Sequence, residues 1–421
     1  MVDPGTAATE DDLRALVVDG YHAPQQYRTV ETTRRLLAAG WQAMADDPTT
    51  PLRLEAVLAR SGASASSFYS RFDGVDALVA CLGLLALRRA PIEVGSLDGA
   101  SRTVVAPLAG TGHLPREVLA AGMWSDAYVE AQREARPAAI RRLAIGAAGP
   151  DAEVRRLVTW LTLAEATAEQ WWAVGGLVLG EDELAGLADE LVRLGAQVVG
   201  GATRPVGGAT TGGPQLDAPR VAPRVGGASD RSAVALAELR TSTREALVQH
   251  GRDLSPADVA RAVHRSRTAF FDAFGTVGAA LADLARTEQS GRIPTQLFRP
   301  RADVGPDALV GHLVHRIRAW QDHQGIVGRR LLQAAGEHPE LARELVGQVL
   351  ASADLLAGWY APAFALAPQE VRLLFVALLA AEQHQVVWGA QPDVILGPDA
   401  LDALLGPVLC TEVSAVPPPV G

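Results

Sequence analysis

One segment occurs twice in this chain, and that repeat limits the possible folds more than any other feature. "VLARSGASASSFYSRF" (57–72) aligns without a gap on "VARAVHRSRTAFFDAF" (259–274), an offset of 259 − 57 = 202. Val57/Val259, Ser64/Ser266, Phe68/Phe270 and Phe72/Phe274 are identical, and Tyr69 faces Phe271. A second match follows at an offset of 370 − 153 = 217. There Glu153-Val154-Arg155 lies over Glu370-Val371-Arg372, Ala164-Glu165 over Ala381-Glu382, and Trp171 over Trp388. "LGEDEL" (179–184) lies over "LGPDAL" (396–401). Roughly 14 of 35 positions agree over 153–187 and 370–404, more than chance supplies. The halves are copies, and the second carries about 15 extra residues before its final helices. A chain of 421 residues is also too long for one ordinary core.

The copies are joined by "GGATRPVGGATTGGPQLDAPRVAPRVGGASDRS" (200–232), about a third of which is Gly and Pro. Such a stretch cannot bury enough apolar surface to order itself and reads as a flexible linker. As a Gly-rich coil it spans roughly 30 Å root-mean-square. A shorter Gly/Ser/Thr-rich loop is expected near 94–113, and a frayed tail at 414–421.

Within each copy the pattern is helical. Ala, Leu, Arg and Glu dominate, alternating β-branched runs are few, and every basic residue is Arg. Leu37, Trp41 and Met44 form the apolar stripe of a helix over about 29–45, which Asp46-Asp47-Pro48 ends. Leu54, Val57 and Leu58 begin a second, short helix, and Gly62 permits a tight turn. Ser64 caps a third helix over about 65–71, and Asp73-Gly74 separates it from a fourth at 75–90. In the second copy Ser255-Pro256 supplies a cap followed by a helix-starting proline. Longer helices are expected at about 115–135, 151–175 and 183–197, then near 306–336, 338–359, 368–388 and 399–409.

Two short helices joined by a glycine turn match the helix-turn-helix pattern, whose second helix lies in the DNA major groove. Small or hydrogen-bonding residues are needed where that helix meets the bases, and apolar residues on its back. Ser64, Ser66, Ser67, Tyr69 and Arg71 meet the first need, and Phe68 and Phe72, at i and i+4, meet the second. In the second copy Arg265, Ser266, Arg267 and Thr268 hold the matching places. The net charge of −10 excludes a chain that coats nucleic acid along its length but allows a local basic face. Residues 24–90 hold eight Arg against six acids, and 231–292 hold nine against seven.

At these residues the chain resembles the TetR family of one-component transcriptional regulators, whose DNA-binding domain carries I-A-x-x-A-G-V-S-x-x-x-x-Y-x-x-F-x-x-K. Val57-Leu58 stand for Ile-Ala, Ser61-Gly62-Ala63-Ser64 for Ala-Gly-Val-Ser, and Tyr69 and Phe72 for the aromatics. Val75 stands where the family has its phosphate-binding Lys. In the second copy His264 replaces the turn glycine, Phe271 the tyrosine, and Asp272 adds a negative charge. The resemblance implies that Tyr69 and Thr50 touch phosphates and that residues from Ser64 to Arg71 meet bases or backbone.

It further implies an all-α fold of two TetR-like units paired as an intramolecular pseudo-dimer. The domains would be 24–90 (first helix-turn-helix), 91–199 (first ligand and dimerisation domain), 200–232 (linker), 233–290 (second, divergent helix-turn-helix) and 291–412 (second ligand and dimerisation domain). The expected partners are a double-stranded DNA operator and a small-molecule effector. Trp124, Tyr128, Trp171, Trp172, Trp320, His323 and His384 are the pocket candidates; their plainer alternative is core or interface packing. Glu165 and Glu382 recur as a polar pair expected at the interface. The expected mode is repression from an asymmetric operator by a monomeric chain; the competing class is an interaction or small-molecule-binding protein that keeps the fold without specific DNA binding.

An enzyme is not expected, because no Walker loop, G-x-S-x-G, H-E-x-x-H or Cys/His cluster is present. No cofactor or metal is called for, and Cys81 and Cys410 provide neither a disulfide framework nor zinc spacing. No signal-peptide pattern and no run of 18 apolar residues occur, so the expected location is the cytoplasm, with no membrane partner.

Overall fold

The structure, a computed structural model, describes residues 4–18, 20–46, 52–89, 230–262, 267–289, 309–364 and 366–388, with isolated positions between 159 and 198 and at 404–405. The described residues are overwhelmingly helical and contain no strand, as the composition requires. One isolated antiparallel bridge joins Tyr21 to Phe72. The chain divides into two compact units, Met1–Ala148 and Gly149–Gly421, so the division falls inside the 91–199 region rather than at the expected linker.

The first unit runs α1 (Pro4–Ala7), α2 (Glu10–Arg14), α3 (Tyr27–Asp46), α4 (Leu54–Ser61), α5 (Ala65–Tyr69) and α6 (Val75–Arg89). Thr9 and Asp12 start α2 as a reciprocal capping box: the Asp12 amide donates to Thr9 Oγ1 at 3.1 Å and the Thr9 amide to Asp12 Oδ2 at 2.9 Å. Glu10, Asp11 and Asp12 also place negative charge at the positive end of the helix. The stripe of α3 is buried as its spacing dictates, with Val30, Leu37, Trp41 and Met44 inward. Gly40 lets α3 cross α6 closely, since a Cβ there would lie 2.5 Å from Leu78 Cδ2. Cys81 is buried on α6 as a free thiol.

The second unit runs α7 (Asp230–His250), a 3-10 turn, α8 (Pro256–Ala262), α9 (Arg267–Phe274), α10 (Val277–Gln289), α11 (Leu309–Ala335), α12 (Pro339–Tyr360) and α13 (Pro368–Trp388). Helix α7 begins inside the end of the expected 200–232 linker. Helix α13 is apolar nearly all round, with Val371 and Leu374–Ala381 buried, which places it at the centre of its unit. Its two buried carboxylates are both paired. Glu370 accepts from Arg193 at 2.8 Å, and Glu382, 2% exposed, accepts from Arg318 through both oxygens. Thr167 Oγ1 donates to Ala377 O of α13 at 3.1 Å. Helical residues in the 159–198 stretch therefore pack on α13. Among them Gly195 lies against Trp160 so closely that a Cβ would fall 2.0 Å from Trp160 Nε1.

Helix α11 is broken at Gly325, whose φ of 54° and ψ of −141° are reachable at low cost only by glycine. Among the described residues no single helix is long and apolar enough to cross a membrane. Arg267–Phe274 and Val277–Glu288, bent by 63°, reach that composition only as a pair, and their Phe270, Phe274 and Ala280 are core residues.

Candidate nucleic-acid interface

The same four-helix head is built twice. Helices α8, α9 and α10 begin at 256, 267 and 277, each 202 residues after α4, α5 and α6 at 54, 65 and 75. In the first head Gly62 closes α4 in the left-handed region, at φ 63°, and its amide donates to Leu58 O at 3.0 Å. The chain then turns at Ser64, whose hydroxyl accepts from the Ser67 amide at 3.1 Å and so caps α5.

The aromatic residues hold both short helices in the same way. Phe68 and Phe72 are fully buried, as is Phe270, and Phe274 is nearly so. Ring centroids are 5.4 Å apart in Phe68–Phe72 and in Phe270–Phe274. The outward rings match too: Tyr69 meets Phe68 edge-on at 5.5 Å, and Phe271 meets Phe270 edge-on at 5.7 Å. Tyr69 is 53% exposed and Phe271 49%, so each head presents one ring to solvent beside its polar residues. Val57 and Val259 seal the backs of α4 and α8, and Ser242 ties α7 to the second head through Val259 O at 2.6 Å.

The remaining sequence candidates divide clearly. Ser64 and Ser66 are exposed, while Ser67 is half-buried with its hydroxyl 2.9 Å from that of Ser64. Arg71 does not project freely. It is half-buried and donates to His22 O at 3.3 Å. Arg267 and Thr268 are exposed on the first turn of α9. Thr50, Arg265 and Ser266 lie outside the described residues, as do Trp124, Tyr128, Trp171, Trp172 and Glu165. Trp320 and His323 fall on α11 and His384 on α13, with side chains outside the described set. Among the described residues no three His, Cys, Asp or Glu side chains gather as a metal site would require.

Sequence reasoning missed two features of this surface. One is the exposed run Gln25, Gln26, Tyr27 and Arg28 at the start of α3. The other is the N-terminal segment that grips Arg71–Asp73; its legible signal was the Thr9/Asp12 capping box. Chemically, the short helices offer hydroxyls, a phenol and a guanidinium, which are donors suited to phosphate oxygens and base edges. No protein-family model matches this chain, and no curated protein matches it.

Proposed function

We propose that the chain is a DNA-binding transcriptional regulator of TetR-like build, a ligand-responsive repressor whose two heads read an asymmetric operator. The observation that supports it most is the twice-built head. One pair of rings locks each short helix from behind, and small polar or cationic side chains face out. A helix so held can enter a major groove without bulk in the way.

In this reading the last helices of the two halves pair with each other. The contacts of Thr167 and Arg193 with Ala377 and Glu370 support that pairing. Two recognition helices would then reach successive grooves about 34 Å apart. The linker bridges halves already paired and raises their effective concentration. An effector bound among the helices behind the heads would shift the balance between DNA-competent and incompetent arrangements.

Gel shift with the DNA upstream of the chain's own gene, across a salt series, tests the reading. Specific binding that weakens steeply with salt is expected, because phosphate contacts release counterions. One observation favours a second reading for the second head: Phe271 lacks a phenol, and Asp272 is exposed beside it. Absence of any shift at low salt would favour a protein that keeps the fold for interaction or small-molecule binding.

A further inference from the structure

The two recognition helices are equivalent in sequence position but unequal in length. Helix α9 runs eight residues to Phe274, whereas α5 stops after five, at Tyr69. The difference lies in where the Arg71 and Asp73 amides donate, the former turning to Phe68 O at 2.8 Å, an i to i+3 bond. In the second head the Gly275 amide closes its own helix on Phe271 O at 2.9 Å. Its counterpart in the first head, the Asp73 amide, leaves the helix and donates to Gly20 O at 2.7 Å. The His22 amide in turn donates to Arg71 O at 2.8 Å, so residues 20–22 and 71–73 pair as a short antiparallel clasp around the Tyr21/Phe72 bridge.

Side chains fasten the same clasp. Tyr21 lies against Phe72 at 5.5 Å between centroids, and its hydroxyl donates to Leu13 O. His22 Nε2 lies 2.9 Å from Asp73 Oδ1, and Arg71 donates to His22 O. Gly20 holds φ 74° with its Cα against Asp73 and Ala77, a place where a Cβ would be both strained and crowded. Upstream, the segment is fixed to α3: Arg34 donates to Ala8 O at 2.7 Å, and Ala8, Leu13, Leu16 and Val18 are buried. The second head anchors the corresponding loop differently. Thr276 Oγ1 donates to Glu340 of α12 at 3.0 Å, and Arg286 pairs with Glu344.

We infer that residues 4–18 and 20–22 form a strap that shortens and aims the first recognition helix, with Gly20 and His22 as positioning residues for DNA reading by that head alone. This rests on the regulator reading above. By taking the Asp73 amide, the clasp withholds the closing i to i+4 bond that α9 keeps, while the Phe72 amide still donates to Phe68 O at 2.9 Å. It also holds Arg71 at the end of the recognition helix. The first head is thus set by its own N-terminus, and the second by α12.

The test uses the full chain and the operator mapped with it. His22→Ala and Gly20→Ala are compared with His22→Gln, whose amide still reaches Asp73. Hydrogen exchange over 65–74 and hydroxyl-radical footprints are read together. The alanine variants are expected to raise Asp73 exchange and weaken protection of one half-site about tenfold, leaving the other unchanged. His22→Gln is expected to retain both. Faster exchange with undiminished protection of both half-sites would overturn the positioning role. Unchanged exchange in both alanine variants would overturn the clasp itself. A wild-type chain that protects no DNA would remove the regulator reading, and the positioning role with it; that failure shows before any variant is made.

Discussion

Tyr69 carries the sharpest expectation at the scale of single residues. It is the only phenol on either short helix and is half exposed. Losing one hydrogen bond to a charged phosphate costs about 1.5–3 kcal/mol, so Tyr69→Phe should raise Kd on the order of tenfold or more. Phe271→Ala should change it less, and equal effects in a gel shift would contradict this ranking of the heads. His338, which precedes α12, gives a pH dependence. Burial pushes its imidazole below the ordinary value, against a smaller upward pull from Glu340. The unfolded chain, with a histidine near 6.5, therefore takes up this proton more readily. The contribution to stability is full above about pH 6.5 and is lost as pH falls below it toward the folded value. His338→Gln should flatten that decline in urea midpoints taken between about pH 7.5 and 5.5, and an undiminished slope would refute the assignment. Ser64 and the Phe68/Phe72 pair were legible because their partners lie within four residues along the chain. The fate of Arg71 was not, because its acceptor at His22 is 49 residues away.

Helices with a long apolar pattern, and the short α4 and α5 with their turn and cap signals, could be read from sequence, whereas α1 and α2 could not. The expected 368–388 helix is α13, and the 29–45 helix is α3 within two residues at either end. Helices α1 and α2 are too short to show a period; α1 is held by packing on α3, and α2 by its capping box and the burial of Leu13. The break in α11 was hidden because apolar spacing continues through it, with Ile317, Val327 and Leu331 all buried. The cost of altering it is backbone strain, since open space surrounds Gly325. Gly325→Ala should destabilise the chain by about 1–3 kcal/mol, read as a lower denaturation midpoint. An unchanged midpoint would show that the break straightens freely. On α9, Arg267 is an exposed cation on the first turn. Arg267→Ala should lower the slope of log K against log salt by about 0.9 if it meets a phosphate. An unaltered slope would place Arg267 off the DNA.

The duplication links the residues to the molecule. The two heads differ in their outward residues, with Ser64, Ser66 and Tyr69 at one and Arg267, Thr268 and Phe271 at the other. On the regulator reading, a homodimer of identical heads would read a palindrome, whereas unlike heads on one chain would call for unlike half-sites. The two heads could be found from sequence because the repeat survives at an offset of 202. The helices joining them could be aligned but not placed, since their contacts, such as Thr167 with Ala377, span 210 residues. The central claim is most directly tested by a hydroxyl-radical footprint on the mapped operator, with the mass of the complex measured on the same sample. One chain protecting two dissimilar half-sites about one helical turn apart is predicted. Two chains on a perfect inverted repeat, or no sequence-specific protection at low salt, would contradict it.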